Sequence, residues 1–423
     1  MPNTKLHPNR GEFTWATGVA LAFAAGLWIA AVSAPSARAQ SVKESVVYSF
    51  TGGANGAYPD WGVITDGAGD VYGTTGEGGD TSCEAPYGCG EVFKVTKTGV
   101  ETVLYAFTGE ADGRYPDGTP LVRDAAGNFY GTTYEGGTFS CGVGDGCGVV
   151  FKLDPSGNET VLYSFVGGNS DGQYPLAGLT RDPEGNLYGT TIAGGGGHSG
   201  SCSPGCGVIF KVDSTGKETV LYAFTGGADG GSPFAALIHD KQGNLYGTTL
   251  GGGASGDGAV FKLDSSGNES VLYSFQGGSD GESPFSPLVE DAQGNLYGTT
   301  SGGGPSSMGT VFKVDTSEHE TVLYSFTGGT DGGYPLGGLV LDGKGNVYGA
   351  TEHGGNAPGF SGAGVVFRVD TAGKETVLYT FTGGADGGNP AYGSLLLDPK
   401  GILGGTTSVG GAAGYGTVFK ITR

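Results

Sequence analysis

Acidic side chains and one histidine occur at a position that recurs seven times along the chain, just after a Thr-Thr pair or its equivalent. Glu352 precedes the histidine, and the successive occurrences are Glu77, Glu135, Ala193, Gly251, Gly302, His353 and Val409. Carboxyl groups beside a histidine can perform general acid and base catalysis, as in the cleavage of glycosidic bonds. We take Glu77, Glu135, Glu352 and His353 as candidate catalytic residues. The alternative interpretation is that they are loop charges in contact with water.

A second set of carboxylates could bind a ligand. An Asp precedes Gly at six equivalent positions, and Asn55 takes the first: Asp112, Asp171, Asp229, Asp280, Asp331 and Asp386. A ring of such groups would attract cations, Ca²⁺ among them. The alternative is that Asp-Gly is a favoured turn pair, repeated because the unit is repeated. Since no DxDxDG calcium loop, HExxH, GxSxG or complete phosphate-binding loop occurs, we predict no metal site and no cofactor.

Three close pairs of cysteines follow the same pattern of positions. Each pair brackets one Gly-rich stretch: Cys83 with Cys89, Cys141 with Cys147, and Cys202 with Cys206. Three local disulfides, each closing one loop, are the prediction, and they would form in an oxidising compartment. Zinc binding is the alternative, and it would require neighbouring pairs to converge.

These residues belong to a repeat of 51 to 59 residues. A VLYSFTGG-like segment recurs with its tyrosine at Tyr48, Tyr105, Tyr163, Tyr222, Tyr273, Tyr324 and Tyr379. Between these segments come a DxxGN turn, an NLYGTT segment, a Gly-rich stretch and a GxVFK segment. Alternation of large side chains in VLYSF is typical of a half-buried strand, and each repeat provides four short strands.

Seven repeats of four strands predict an all-β fold, a seven-bladed β-propeller of four-stranded blades. A β-solenoid is the alternative, but its coils are usually shorter than this period. The last repeat lacks an outermost strand, whereas residues 46–50 supply such a strand before the first repeat. We therefore predict that the N-terminal strand closes the ring by pairing in the last blade beside three C-terminal strands.

The predicted blades divide the loops between two faces. Loops from the second to the third strand, and from each blade to the next, emerge on one face together with all the candidate residues and cysteines. The short DxxGN-type turns emerge on the other face and serve turn geometry. A ligand site is expected on the first face, because variable loops on a rigid scaffold carry function.

The N-terminus predicts export. Residues 1–39 contain Lys5 and Arg10, an apolar run, and the small residues Ala37 and Ala39 at the expected cleavage site. This is the pattern of a secretory signal peptide, which leaves residues 40–423 as a single propeller domain. An uncleaved anchor is the alternative, because the run approaches the ~20 residues that span a bilayer. After cleavage no membrane span remains, and we expect a soluble, monomeric protein.

Composition excludes other classes. Abundant Gly (90), Tyr (21) and Phe (21) with only 15% charged residues indicate strands and turns rather than helices. The formal net charge of −21 makes nucleic acid an improbable partner, since its phosphates would be repelled.

The combination of VLYSFTGG, NLYGTT and GxVFK over about residues 44–423 resembles the GloVer-type tandem repeats of bacterial exported (choice-of-anchor) proteins. The resemblance implies a β-propeller-like region in an exported protein, and it implies no catalytic residues. No C-terminal anchor is recognisable, so we expect a periplasmic or secreted protein.

The expected function is that of a non-enzymatic binding module for a carbohydrate, peptide or protein. One alternative is an enzyme acting on extracellular polysaccharide, a glycosidase or lyase that uses the four candidate catalytic residues. Carboxylates that converge within ~5 to 10 Å in a cleft would support it. The other alternative is a structural protein of the cell envelope.

Overall fold

The computed structural model describes residues 42–116, 118, 120–141, 146–196, 202, 205–357, 361–390 and 392–422. The predicted signal segment and His198 lie outside these residues. The described residues form seven four-stranded antiparallel sheets arranged in a ring. The predicted seven-bladed β-propeller is therefore confirmed.

Each blade runs from an innermost strand near the axis to an outermost strand at the rim. The innermost strands are β2 (Val63–Thr65), β6 (Val122–Arg123), β11 (Thr180–Arg181), β16 (Ile238–His239), β20 (Val289–Glu290), β24 (Val340–Leu341) and β28 (Leu396–Leu397). The second strands are β3 (Val71–Thr75), β7 (Phe129–Thr133), β12 (Leu187–Thr191), β17 (Leu245–Thr249), β21 (Leu296–Thr300), β25 (Val347–Thr351) and β29 (Leu403–Thr407).

The outer half of each blade comes from the GxVFK and VLYSF segments. The third strands are β4 (Glu91–Val95), β8 (Val149–Leu153), β14 (Val208–Val212), β18 (Ala259–Leu263), β22 (Thr310–Val314), β26 (Val365–Val369) and β30 (Thr417–Thr422). The outermost strands are β5 (Glu101–Ala106), β9 (Glu159–Ser164), β15 (Glu218–Ala223), β19 (Glu269–Ser274), β23 (Glu320–Ser325), β27 (Glu375–Thr380) and β1 (Lys43–Ser49). The remaining elements are a two-residue ladder and two 3-10 turns: β10 (Gly172–Gln173), β13 (Ala193–Gly194), Gly53–Asn55 and Gly278–Asp280.

A pair of phenylalanines fills each boundary between neighbouring blades. One ring follows the outermost strand of one blade, and the other lies in the third strand of the next blade. Their centroids lie 5.0 to 5.2 Å apart in edge-to-face geometry in the pairs Phe50–Phe93, Phe107–Phe151, Phe165–Phe210, Phe224–Phe261, Phe275–Phe312, Phe326–Phe367 and Phe381–Phe419. All fourteen rings are buried. Because such rings contribute large buried areas, these pairs hold the blades together.

The glycine of the NLYGTT segment makes room for one ring of each pair. A Cβ atom on Gly189 would lie 2.6 Å from Cζ of Phe210 and 3.0 Å from a methyl carbon of Leu179. Six equivalent glycines show the same crowding. The recurrence of glycine in this strand is thus explained by packing against the phenylalanine beside it.

The N-terminal strand closes the ring as predicted. Strand β1 pairs with β30 in an antiparallel ladder from Lys43 opposite Thr422 to Ser49 opposite Thr417. The last blade has the order β1, β30, β29, β28, so it combines one N-terminal and three C-terminal strands. We call the boundary between this blade and blade 1 the closing seam, where Phe50 packs on Phe93.

We expect Phe50→Ala to lower the free energy of unfolding by about 3 to 5 kcal/mol, because it removes a fully buried ring at the closing seam. Urea denaturation of the oxidised protein measures the change. Phe275→Ala, at an ordinary boundary, is the matched control and should cost a similar amount. A much smaller loss for Phe50→Ala than for Phe275→Ala would show that the seam contributes little to folding.

Candidate functional site

The loops and turns that connect the strands emerge on two opposite faces of the propeller. We call the face with the loops between second and third strands, and between blades, the loop face, and the face with the hairpin turns the turn face. On the loop face, short antiparallel bridges join Glu77 to Ala57, Glu135 to Arg114 and His353 to Gly333. Glu77, Glu135 and His353 therefore occupy equivalent places on blades 1, 2 and 6.

Glu135 is part of an ion cluster. Nη2 of Arg114 lies 2.8 Å from Oε2 of Glu135, and Nη1 lies 2.8 Å from Oε1 of Glu84. Glu84 belongs to the loop that the Cys83–Cys89 disulfide closes. The cluster therefore links the disulfide loop of blade 1 to blade 2, which gives Glu135 a positioning partner of opposite charge.

Glu352 and His353 lie together on blade 6. Nε2 of His353 is 3.3 Å from Oε2 of Glu352, and the Tyr392 hydroxyl donates a 3.4 Å hydrogen bond to Oε1 of the same carboxylate. The Tyr334 ring packs edge-on against the imidazole, with centroids 5.7 Å apart. Of the four candidate catalytic residues, these two are the pair that the described contacts bring together.

Four aromatic rings meet on the loop face beside this pair. The centroid distances are 6.2 Å from Trp61 to Phe234, 4.2 Å from Phe234 to Phe285, 6.2 Å from Phe285 to Tyr392 and 5.4 Å from Tyr392 to Trp61. The rings belong to blades 1, 4, 5 and 7, so they form a circuit around the axis of the propeller. None of the four is fully buried. We call these four residues the aromatic cap.

Each cap residue is carried by the segment that leads into an innermost strand. A proline begins this segment, and the residue before it adopts a positive φ in all seven blades: Tyr58, Tyr115, Tyr174, Ser232, Ser283, Tyr334 and Asn389. In blade 4, Ser232 donates its N–H to the carbonyl of Cys206 in the preceding blade (2.7 Å) and accepts from Leu250 (3.1 Å). Equivalent backbone hydrogen bonds in the other blades stabilise the left-handed conformation of this residue, which is otherwise strained.

Close backbone contact brings Trp61 beside Tyr392. A Cβ atom on Gly393 would lie 2.3 Å from Cα of Gly62, which itself has φ +86°. Only glycine fits at this approach of blade 7 to blade 1, because any side chain would push the two segments apart.

The six candidate aspartates have internal hydrogen-bond partners. Each accepts a bond of 2.9 or 3.0 Å from the tyrosine of the preceding VLYSF strand, in the pairs Tyr105–Asp112, Tyr163–Asp171, Tyr222–Asp229, Tyr273–Asp280, Tyr324–Asp331 and Tyr379–Asp386. Each also accepts a backbone N–H from the start of its own loop. These bonds fasten the interblade loop to the rim.

A glutamate from the next blade lies near each of these aspartates. Burial, and then the charge of the neighbouring aspartate, raise the pKa to about 7 for Glu44, Glu159, Glu218, Glu269, Glu320 and Glu375. The described residues contain no group of three or more His, Cys, Asp or Glu side chains placed to hold a metal ion.

The closing seam departs from this arrangement. Asn55 takes the place of the aspartate, and a carboxyl group appears instead at Glu91, where other third strands begin with residues such as Val149. Glu91 is 0% exposed, and neither of its carboxyl oxygens has a hydrogen-bond partner. Burial, followed by the charge of Glu101, raises the pKa of Glu91 to about 9. At neutral pH this group is therefore a protonated acid.

The three predicted disulfides are present on the loop face. The Cα–Cα distances are 5.6 Å for Cys83–Cys89, 5.0 Å for Cys141–Cys147 and 5.0 Å for Cys202–Cys206. Each closes the loop between the second and third strands of one blade, and the three blades are consecutive. Disulfides of this kind are typical of extracytoplasmic proteins.

Two cavities lie away from the cap. One of about 510 Å³ faces the innermost strands of blades 4 to 7 and is lined by Ile238, His239, Leu288, Val289, Glu290, Val340, Leu341 and Leu397. The other, about 680 Å³, opens between blades 3 and 4 among the hairpin turns Asp182–Glu184, Asp240–Gly243 and Asp264–Ser265. None of the candidate residues lines either cavity.

Sequence reasoning named Glu352 and His353 as candidates and did not name the residues of the aromatic cap. Phe234 and Phe285 directly follow the proline of their segments, and Trp61 and Tyr392 follow it by two residues. Directly after the proline other blades have Leu176 and Leu336, and two residues after it they have Ala177 and Gly337. The departure from the repeat is the signal that could have revealed the cap.

The seven blades and their repeated boundaries define a tandem-repeat β-propeller. The family model described as the Gloeobacter/Verrucomicrobia repeat matches residues 36–203 and 199–419, and the chain belongs to this family. A search of the curated proteins finds no match. Among the described residues, no helix is long and apolar enough to cross a membrane.

Solved structures with TM-scores of 0.50 and 0.53 share the fold. The extracellular domain assigned to a hybrid two component system of B. thetaiotaomicron has a TM-score of 0.53 at 11% identity, covering 90% of this chain and 39% of that chain. The corresponding domain assigned to a one component system has a TM-score of 0.50 at 14% identity, covering 85% and 39%. This chain thus spans about two fifths of the length of those two structures. A gluconolactonase from Xanthomonas campestris gives 0.39 at 16% identity, covering 64% and 78%.

We expect Glu91→Gln to stabilise the protein in alkali. The native state holds the Glu91 proton up to about pH 9, whereas the unfolded chain releases it near the ordinary pKa of 4.5. Stability is therefore lost as pH rises between these values, by on the order of 3 kcal/mol at pH 7. Urea denaturation from pH 5 to 9 should show a flatter profile for Glu91→Gln.

The half-exposed Glu101 provides the control for this experiment, and Glu101→Gln should change the profile less. Glu91→Val, which restores the residue of other blades, should act in the same direction as Glu91→Gln. Parallel pH profiles for wild type and both Glu91 variants would contradict a buried, protonated Glu91.

Proposed function

We propose that the protein is an exported, non-enzymatic binding module that holds its ligand on the loop face, over the aromatic cap. The observation that carries this proposal is the convergence of Trp61, Phe234, Phe285 and Tyr392 from four different blades. Half-buried rings with a few polar groups beside them are the usual composition of a ligand site. Glu352 and His353 supply those polar groups.

Rigidity of the scaffold favours recognition. The cap segments are held by hydrogen bonds between blades, so the rings are placed before any ligand arrives, and little ordering is needed on binding. Blades 2, 3 and 6 carry no aromatic residue at the cap positions of the described residues. Because other blades pack with Ala177 and Gly337 at the places of Trp61 and Tyr392, we infer that these two rings contact a ligand, which we expect to be a carbohydrate, a peptide or a protein.

Export is part of the proposal. Three disulfides and membership in a bacterial repeat family favour an extracytoplasmic location, either periplasmic or secreted. We expect residues 1–39 to be removed as a signal peptide. Intact-mass analysis of protein recovered from outside the cytoplasm should give a chain that begins at Gln40, and retention of Met1 would instead indicate an anchor.

Hydrolysis of a polysaccharide is a second candidate function. It is favoured by the 3.3 Å contact between Glu352 and His353 beside the cap, which places an acid and a potential base next to a bound ligand. The contact of Glu135 with Arg114 instead favours a structural part for that carboxylate.

Binding can be followed through one intrinsic probe. Trp61 is the only tryptophan of the sequence after residue 39, so fluorescence excited selectively at tryptophan reports on the cap. We expect at least one member of a panel of extracellular polysaccharides and peptides to change this fluorescence saturably. Calorimetry should then show that Trp61→Ala weakens the same binding at least about tenfold, since central aromatic residues dominate recognition.

Tyr87→Ala is the matched control, because Tyr87 is 61% exposed on the same face but belongs to the disulfide loop of blade 1. Equal ligand affinities of Trp61→Ala and Tyr87→Ala would show that the cap is not part of the binding site. Release of reducing ends that is abolished by Glu352→Gln would make the protein an enzyme and overturn the non-enzymatic proposal.

A further inference from the structure

The charged residues in the loops of the loop face are almost all acidic. Arg114 is the one Lys or Arg that the sequence places in its loops, and the Arg114 side chain is already paired with Glu84 and Glu135. The acidic residues of the described loops are Asp60, Glu77, Asp80, Glu84, Glu110, Asp112, Glu135, Asp171, Asp229, Asp257, Asp280, Glu282, Asp331, Glu352 and Asp386. Such a surface attracts cations over a distance and repels anions.

Lysines lie elsewhere in the molecule. They occur in the third strands, as at Lys94 and Lys211, and in the hairpin turns of the other face, as at Lys241. Apart from Arg114, the Lys and Arg residues that the structure describes therefore lie in strands and in the turns of the turn face. No lysine of the described loops competes with a ligand for the carboxylates of the loop face.

The cap itself has the composition that favours a cation. The faces of Trp, Tyr and Phe rings carry negative electrostatic potential, and several rings around one point bind an organic ammonium group. Trp61, Phe234, Phe285 and Tyr392 form a closed circuit with sides of 4.2 to 6.2 Å. The rings touch one another, so a ligand would lie over the circuit on its solvent side.

Carboxylates border the circuit. The Tyr392 hydroxyl donates to Glu352, and Asp60 directly precedes Trp61 in the chain. A cation that packs on the face of a cap ring would thus have a carboxylate nearby, with Glu352 also in contact with His353. The excess of negative charge in these loops disfavours an anionic ligand, and a neutral one would gain nothing from it.

We propose that the aromatic cap binds an organic ammonium group of the trimethylammonium type, held over Trp61 and Tyr392 with Glu352 as the neighbouring counter-charge. This inference rests on the proposed function, because it names the ligand chemistry of the same site. The trimethylammonium group matches an aromatic surface better than a small metal ion does, since it is apolar in contact and still carries a full charge.

The test compares choline with 3,3-dimethylbutan-1-ol, its uncharged isostere of nearly the same shape. Titration of the mature chain through Trp61 fluorescence should show saturable binding of choline and at least about tenfold weaker binding of the alcohol. Equal responses to the two compounds would overturn the proposal. So would the absence of any choline response from a chain that still binds a polysaccharide or peptide at the cap, an outcome that leaves the proposed function intact.

Variants separate the cap from the general acidity of the face. Tyr392→Leu and Glu352→Gln should each weaken choline binding several-fold, whereas Glu110→Gln, on the same face but outside the cap, should leave it unchanged. An equal loss in Glu110→Gln would show attraction to the face as a whole and would overturn the assignment to the cap. Unchanged melting temperatures establish that the variants fold.

The same chemical group can come from a free solute or from a lipid head group. Sedimentation of the protein with phosphatidylcholine vesicles that is reversed by free choline would assign the ligand to a membrane surface. A fluorescence response to free choline without sedimentation would assign it to a soluble quaternary amine. Both outcomes support recognition of the ammonium group by the cap.

Discussion

The packing of one blade against the next is the interaction on which the rest of the molecule depends. Each boundary places a phenylalanine from one blade against a phenylalanine of the next, over a glycine that leaves room for the ring. Because both faces of every sheet are covered by neighbours, no blade can bury its side chains alone. Removing the last boundary would expose two apolar faces at once, which is why the N-terminal strand completes the final blade.

The closing seam shows how the repeat tolerates a change. The aspartate of the other interblade loops is Asn55 there, and the lost acid reappears as Glu91 in the adjacent third strand. Tyr48 lies at the seam near these carboxyl groups. Burial, followed by the charges of Glu101 and Glu91, raises the pKa of Tyr48 to about 12. The exchange keeps two acidic residues at the boundary, although the acid has moved from a loop into the core.

The sequence predicts most of the fold and little of the site. Repeat spacing, strand alternation and the unmatched strand at residues 46–50 lead to seven blades and to the closure, because these features recur and are local in the chain. The disulfides follow from the spacing of Cys83 and Cys89 and its repeats. The cap could not be predicted in the same way, since Trp61 and Phe234 are far apart in sequence and meet only when the ring brings blades 1 and 4 to a common axis.

Departures from a repeat are of two kinds, and they carry different information. The exchange of Asn55 and Glu91 is matched inside the core, so it reflects packing and charge at one boundary. Trp61 and Tyr392 have no such match, because Ala177 and Gly337 take the same places in other blades without loss of the boundary contacts. Phe234 and Phe285 instead take the places of the buried Leu176 and Leu336. A half-buried aromatic ring that packing does not require keeps apolar surface in water, which is unfavourable. At the axis the rings of Trp61 and Tyr392 pack against Phe234 and Phe285, and the four half-buried rings are the basis of the proposed ligand site.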